Sequence, residues 1–210
     1  MSGECLHWSD SGPRGFAGAG TEAGVREIVI QGRGGQGAQT AGNLLAAAFF
    51  AEGAHVQSFA SYGGARRGTP VSSFIRADDA PVRLRCDIER ADAILCFDGT
   101  LLEGRLLAAA DERTLIVVNS GRSVADFART LPGYRVVPVD AIGISLRCGL
   151  GRIVNSALLG ALARAVGAPA LASLERTIAE RSPKLTQENL AACVEGYRAA
   201  DAVLAEGVEA

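Results

Sequence analysis

The sequence has little of what marks nucleic-acid-binding or membrane proteins. Its 21 basic and 23 acidic side chains leave a formal net charge of −2, which gives no broad positive field for a phosphate backbone. No run reaches the roughly 20 apolar residues that a membrane span needs. The N-terminus lacks the basic-then-apolar pattern of a secretory signal. We therefore expect a cytoplasmic protein that binds neither nucleic acid nor membrane.

The usual markers of metal sites and of self-contained catalysis are also missing. The five cysteines are widely scattered, so no pair has the spacing of a zinc or iron–sulfur site. We expect reduced core thiols, as for Cys96 in its apolar run. The only histidines are His7 and His55. Because nucleophile-elbow, Walker-lysine and HExxH motifs are absent as well, we predict no catalytic residue and no metal ligand.

What is present predicts an ordered α/β protein. With 210 residues, 48% hydrophobic and 21% charged, the chain is long enough for one sizeable core and too short for two ordinary domains. Short apolar runs predict strands at 26–31, 55–60, 91–97, 114–119 and 134–139. Helical spacing predicts helices at 36–53, 101–109, 155–166, 170–181 and 187–205.

Two segments do not follow the alternation of predicted strands and helices. Residues 1–24 are rich in Gly, Ser and Ala without periodicity, and predict a flexible arm in which Trp8 can anchor on a partner. Extended runs at 71–76 and 82–85 flank turn residues and predict a β-hairpin. The expected fold over 25–210 is one Rossmann-like three-layer α/β domain with a mostly parallel sheet, a β-hairpin insertion and a helical C-terminal third.

A glycine-rich turn, GRGGQG at 32–37, lies between the first predicted strand and the first predicted helix. Helix N-termini present free amides and the positive end of a dipole, so this context favours an anion over a mere tight turn. Dinucleotide folds also place an acidic residue about 20 residues further on, and none ends the second predicted strand. Arg66 and Arg67 can instead meet a 2′-phosphate, which keeps a free-standing NADP-binding oxidoreductase as one alternative.

A second loop suited to anions, SYGGARRGT at 61–69, follows the second predicted strand. Its glycines allow tight backbone, and its paired arginines offer planar donors to carboxylate or phosphate. In a parallel sheet both loops lie at the carboxyl edge, where open α/β sheets bind ligands. The arginines can equally form surface or inter-subunit ion pairs.

These two loops, together with NSALLGAL at 155–162, resemble the gamma domain of pyruvate and related 2-oxoacid:ferredoxin oxidoreductases over roughly residues 26–200. The resemblance implies coenzyme A-dependent oxidative decarboxylation of a 2-oxoacid to an acyl-CoA and carbon dioxide, with two electrons passed to ferredoxin or another acceptor. It also implies that thiamine diphosphate, Mg and iron–sulfur clusters reside in alpha-type, beta-type and ferredoxin-like partner subunits. This chain is then expected to bind no cofactor alone.

By the same resemblance, the chain is a gamma subunit without activity of its own that shapes the entrance used by coenzyme A. The residues expected there are Gly32, Gly34, Gly35, Gln36, Gly37, Thr40, Tyr62, Arg66 and Arg67. The family commonly carries Arg-Gly-Gly in the second loop where this chain has Thr69 as the third residue, so the geometry of that loop is expected to differ. A non-catalytic scaffold that only joins other subunits is the second alternative.

Overall fold

A six-stranded sheet forms the centre of the protein. The structure, a computed structural model, describes residues 26–63, 68–102, 104–182 and 184–206. The strands are β1 Arg26–Arg33, β2 His55–Tyr62, β3 Pro70–Asp78, β4 Ala93–Cys96, β5 Leu115–Asn119 and β6 Arg135–Val139. Their order is β2-β3-β1-β4-β5-β6, and only β3 runs against the others. The predicted arm at 1–24 lies outside the described residues.

Helices cover both faces of this sheet, which gives the predicted three layers. They are α1 Ala38–Ala51, α2 Gly104–Ala108, α3 Val124–Thr130, α4 Ala141–Arg147, α5 Asn155–Val166, α6 Leu171–Arg181 and α7 Thr186–Glu206. Apolar side chains of α1 and of α4 to α7 share the larger core cluster with one face of the sheet. Leu106 of α2 and Phe127 of α3 belong to the smaller cluster on the other face. The predicted fold class is confirmed.

The C-terminal third is helical as predicted, and two glycines let its central helices approach closely. A Cβ atom on Gly160 of α5 would lie 1.9 Å from the Cys193 carbonyl oxygen, and one on Gly196 of α7 would lie 1.9 Å from the Ala157 carbonyl oxygen. Real Cβ atoms do not come this near to backbone oxygen, so any larger residue would force the helices apart. The small residues in these helices therefore set the spacing of the layer behind the sheet.

The predicted pairing of 71–76 with 82–85 is wrong. The first segment belongs to β3, which pairs with β2 on one side and with β1 on the other, so the hairpin is β2–β3. Residues 82–85 form no strand. Two short helices, α3 and α4, were also not predicted from the sequence, because seven residues are too few for a clear helical period.

The segment after β3 covers the sheet as an irregular strap, residues 79–92, and a buried arginine holds it there. Arg76 is 1% exposed, and its guanidinium pairs with Glu27 at 2.6 Å. The same group donates to the carbonyl oxygens of Cys86 at 2.8 Å and Asp87 at 3.3 Å. Burying this charge is tolerated because nearly every donor of the guanidinium has an acceptor.

Candidate functional site

The glycine loop connects the carboxyl end of β1 to the N-terminus of α1. Gly35 and Gly37 have φ angles of 97° and 89°, in the region that favours glycine. Gly37 is the N-cap residue of α1 and has no side-chain cap. Gly32, near the end of β1 and just before the turn, is crowded as well, since a Cβ there would lie 3.1 Å from the Cβ of Phe97. The glycines at these positions are therefore required by the turn itself.

The amides of this loop divide into two groups. Gly34 donates to the Thr69 carbonyl oxygen at 2.9 Å, and Gln36 donates to the Arg33 carbonyl oxygen at 2.9 Å. The Gln36 side chain folds back and accepts from the Arg33 amide at 2.7 Å. Within the described residues, the amides of Gly35, Gly37 and the first three residues of α1 have no acceptor. These donors surround the positive end of the α1 dipole, so the site can hold an anion.

Both described ends of the second loop contact the glycine loop or the first turn of α1. Besides the bond from Gly34 to Thr69, the Tyr62 hydroxyl donates to the side-chain oxygen of Gln39 in the first turn of α1. Thr40 lies beside Gln39 and is exposed. Arg66 and Arg67, which carried the prediction for this loop, lie outside the described residues. The described ends of both loops thus meet at the carboxyl edge of the sheet.

An ion pair that the sequence reasoning missed spans the crevice between β1 and β4. Arg33, inside the glycine loop, donates from Nε to an Asp98 carboxylate oxygen at 2.8 Å and from an Nη to the Thr100 hydroxyl at 2.8 Å. Asp98 follows β4 and also accepts from the Thr100 amide at 3.0 Å. Partial burial by itself would raise the pKa of Asp98, but hydrogen bonds from Thr100 and Arg33 hold that pKa below its ordinary value.

The position of Asp98 directly after a buried strand could have identified it as a site residue from the sequence. The chain leaves β1 toward β2 on one side and returns to β4 on the other, so the strand order reverses between β1 and β4. Side chains that follow such strands converge at the carboxyl edge, where ligands of open α/β sheets bind. A charged residue directly after a buried strand, as Asp98 is after Phe97, therefore belongs among the candidate site residues.

The N-terminus of α5 lies behind the glycine loop and contacts it at Gly37. Asn155, the first residue of α5, donates from Nδ2 to the Gly37 carbonyl oxygen at 3.3 Å. A Cβ on Gly37 would lie 2.5 Å from that same Nδ2. The Oδ1 atom of Asn155 is buried and has no partner within the described part of the chain. Two helix N-termini, those of α1 and α5, consequently meet at Gly37.

This topology departs from that of a dinucleotide-binding domain. In those domains the strand that follows the first helix lies directly beside the first strand, and its carboxyl end carries the acidic residue that binds ribose. Here the antiparallel β3 lies between β1 and β2. The end of β2 carries Tyr62 and no carboxylate. The end of β2 therefore lies one strand further from the glycine loop than the ribose-binding strand end of a dinucleotide-binding domain.

Two of the described cysteines, Cys96 and Cys193, lie deep in the core as predicted, whereas Cys86 and Cys148 are partly exposed and are not core residues. Cys96 and Cys193 have no exposed surface. Burial raises the pKa of each thiol to about 12, because the thiolate would be poorly solvated there. Cys96 donates weakly to the Asp98 carbonyl oxygen at 3.0 Å. Both behave as small apolar side chains.

This α/β domain, whose glycine loop leads into α1, is similar to known proteins. Residues 27–199 match the family described as pyruvate ferredoxin/flavodoxin oxidoreductase. The chain is 39% identical over 176 residues to the pyruvate/ketoisovalerate oxidoreductases common subunit gamma of Thermococcus kodakarensis, covering 81% of this chain and 95% of that one. It is 36% identical over 173 residues to pyruvate synthase subunit PorC of Methanocaldococcus jannaschii, covering 81% and 94%.

Solved structures of related proteins have the same fold. The crystal structure of pyruvate oxidoreductase subunit PORC from Thermotoga maritima superposes with a TM-score of 0.72 at 32% identity, covering 83% of this chain and 96% of that one. A 2-oxoglutarate:ferredoxin oxidoreductase from Magnetococcus marinus shares the fold, with a TM-score of 0.69 at 21% identity over 86% of this chain and 32% of that one.

This chain therefore belongs to the pyruvate ferredoxin/flavodoxin oxidoreductase family, which confirms the resemblance drawn from its two loops. Within that family it is a gamma-type subunit of a 2-oxoacid:ferredoxin oxidoreductase. In the part of the chain that the structure describes, no helix combines the length and the apolar character needed to cross a bilayer.

Proposed function

We propose that this subunit forms part of the entrance through which coenzyme A reaches the active site of a cytoplasmic multisubunit enzyme. That enzyme oxidatively decarboxylates a 2-oxoacid to an acyl-CoA. In this proposal thiamine diphosphate and Mg reside in alpha- and beta-type subunits, and iron–sulfur clusters in a ferredoxin-like subunit. Those groups supply the chemistry at the reacting carbon. The present chain binds and orients, and has no turnover alone.

The observation that carries the proposal is the set of free amides at the start of α1. Coenzyme A is a polyanion, with a pyrophosphate and a 3′-phosphate that need hydrogen-bond donors and positive charge. The amides of Gly35 and Gly37 and those of the first turn of α1 offer such donors without competing acceptors in the described residues. The surrounding glycines also leave room, because a Cβ on Gly35 would have nothing within 4 Å.

Neighbouring side chains contribute orientation in this proposal. Arg33 is held by Asp98 and Thr100, so its charge faces the crevice at low entropic cost when an anion arrives. The exposed Thr40 hydroxyl lies on the side of the second loop. The unpartnered Oδ1 of Asn155 offers one acceptor behind the loop for a donor group of the ligand.

A charge introduced at the mouth of the loop tests this assignment. In the reconstituted complex, Gly35→Asp places a carboxylate beside the free amides without filling occupied space. The KM for coenzyme A is expected to rise about tenfold or more, because one like charge at this range opposes binding by about 1.4 kcal/mol or more. The KM for the 2-oxoacid and the kcat at saturating coenzyme A should change little.

Gly53→Asp is the matched control. Gly53 also has a left-handed backbone, with φ of 92°, and a Cβ there would likewise meet nothing within 4 Å. It lies at the other end of α1, away from the glycine loop. If Gly35→Asp and Gly53→Asp leave the KM for coenzyme A equally unchanged while both complexes assemble, the entrance assignment is wrong and the scaffold alternative stands.

Purification of the chain with its natural partners separates the subunit role from the free-standing alternative. The eluate is assayed for coenzyme A-dependent 2-oxoacid oxidation with a dye as electron acceptor. We expect thiamine-binding and iron–sulfur subunits to co-purify with activity, and the isolated chain to have none. Recovery of a lone chain that binds NADP would contradict the proposal.

A further inference from the structure

The segment that contains α1 and β2 is almost without charge. From Gly34 to Gly63 the only charged side chain is Glu52, in a chain of which 21% is charged. The Glu52 carboxylate accepts from the Ala170 amide at 2.7 Å and is thus engaged with the N-terminus of α6. Neither α1 nor β2 carries an Asp, Glu, Lys or Arg. Depletion of charge together with exposed aromatic rings is typical of the centre of a protein–protein interface.

β2 is an edge strand with a free row of backbone groups. The Gly63 amide donates to the Pro70 carbonyl oxygen, so in this antiparallel pair the odd-numbered residues of β2 bond inward to β3. The backbone groups of Val56, Ser58, Ala60 and Tyr62 therefore point away from the sheet. None of them has a hydrogen-bond partner among the described residues.

The two edges of the sheet are protected to different degrees. Edge strands usually carry proline or charge, which prevents pairing with another chain. The other edge strand, β6, has Arg135 and Pro138 among its five residues. The eight residues of β2 contain neither a proline nor a charged side chain of the Asp, Glu, Lys or Arg type. Only the β2 edge is thus suited to accept a further strand.

The flank of α1 extends this surface. Gln39 contacts Tyr62 of β2, and Phe50 lies eleven residues, or about three helical turns, further along α1, so both project from the β2 side. Phe50 is 71% exposed and Tyr62 is 56% exposed. We call this continuous surface, made of the β2 edge and the α1 flank with Gln39 and Phe50, the β2 surface.

We propose that the β2 surface pairs with the β2 surface of a second copy of this chain. The two β2 strands run antiparallel about a two-fold axis at Phe59 and join both sheets into one. A second copy presents the same uncharged strand, so no like charges meet across the axis. Because the strands are antiparallel, the two glycine loops lie at opposite edges of the joined sheet and both remain accessible.

The proposed register brings complementary side chains together. Ser58 lies opposite Ala60 of the second copy, and Val56 lies opposite its Tyr62. The start of β2, which α1 reaches near Phe50, then lies beside the end of the second β2. The two most exposed aromatic rings of the β2 surface, Phe50 and the second copy's Tyr62, therefore cover each other.

Phe59 lies opposite itself at the two-fold axis in this register. It already stacks on Phe74, with ring centroids 5.1 Å apart, so pairing extends one row of rings across both copies. The geometry at the axis gives a direct test. Residues opposite each other without mutual hydrogen bonds have Cα atoms about 4.5 Å apart, which suits a disulfide.

A single cysteine at the axis reports the register. Phe59→Cys in the full chain should form a covalent dimer under mild oxidation, beyond any background from the native cysteines of the parent chain. Ser61→Cys is the control, since it lies on the same side of the same strand. In the proposed register the two thiols of that variant are separated by four residues, about 14 Å, and should not cross-link.

The mass of the full chain in solution gives a second measure that does not depend on replacing Phe59. Sedimentation of the parent chain should show twice 21.7 kDa, with dissociation on dilution. Ser58→Lys, at an exposed position of the strand, should weaken the dimer about tenfold or more, because two lysines then lie near the axis. Leu146→Lys, at an exposed site on α4, should leave it unchanged.

A parent chain that stays at 21.7 kDa at the highest attainable concentration would overturn the proposal. So would equal cross-linking of Phe59→Cys and Ser61→Cys, or a dimer that Ser58→Lys leaves intact. A monomer whose β2 variants fail only to join the other subunits of the enzyme would assign this surface to a different partner, and would also overturn it.

Discussion

Replacing Gly37 by alanine tests how the glycine loop is held against the helical layer. At Gly37 two penalties coincide, since its φ is 89° and a Cβ would lie 2.5 Å from Asn155 Nδ2. At Gly35 only the first applies, since its φ is 97° and a Cβ would meet nothing within 4 Å. Gly35→Ala therefore measures the backbone strain, and Gly37→Ala measures the strain together with the contact to Asn155.

The magnitudes follow from these distances. An alanine in left-handed backbone costs about 1–2 kcal/mol, partly offset by the lower entropy of its unfolded chain. Overpacking against Asn155 adds about 1–3 kcal/mol, because the Asn155 side chain is buried and must move, losing its bond to the Gly37 carbonyl oxygen. We expect Gly37→Ala to lower the free energy of unfolding by about 1–3 kcal/mol more than Gly35→Ala does.

Urea unfolding followed by circular dichroism measures all the variants that are needed. In an Asn155→Ala background the obstructing amide is gone, so the extra penalty of Gly37→Ala should vanish and the double-mutant cycle should give a coupling of about 1–3 kcal/mol. Equal losses of unfolding free energy for Gly37→Ala and Gly35→Ala in the parent chain, or a coupling of zero, would show that the contact with Asn155 does not constrain position 37.

Three further outcomes are expected. Gly196→Ala should destabilise the chain by about 1–3 kcal/mol, since its Cβ would lie 1.9 Å from a carbonyl oxygen of α5; the exposed Arg198→Ala on the same helix should change stability by less than about 0.5 kcal/mol. The pKa of Asp98 is lowered in the folded state, so its ionised carboxylate stabilises the fold above the unfolded pKa, and this stabilisation is lost as pH falls through the folded pKa. Asp98→Asn should thus have a lower free energy of unfolding than the parent near neutral pH, and the difference between the two should disappear below about pH 4. Cys96 and Cys193 should resist thiol labelling at pH 8 and react only after unfolding, and labelling of either in the native chain would contradict their burial.

Local patterns were sufficient for much of the fold. The strand–glycine–helix order around residues 26–51 could be predicted because the turn needs glycine at particular positions and the flanking runs have distinct periods. The predicted helix at 155–166 coincides with α5. These elements depend on residues close together in the chain, so their signals survive without knowledge of the partners.

The wrong hairpin shows where local patterns fail. The apolar pattern of residues 71–76 predicts an extended segment whichever strand it pairs with. Whether that partner is 82–85 or β2 depends on contacts with residues distant in the sequence. β3 pairs with both β1 and β2, and Arg76 then holds the strap in place through the carbonyl oxygens of Cys86 and Asp87. A single buried arginine in a strand pattern does not reveal which distant carbonyl groups it will satisfy.

The sequence by itself determined the α/β class, the glycine loop and the family, because each rests on residue types at short spacing. Only the tertiary structure decided how the candidate site is assembled. Arg33 meets Asp98 across 65 positions, and Asn155 meets Gly37 across 118. Such contacts arise because parallel strands and the helices after them bring their ends to one edge of the sheet, whatever their separation along the chain.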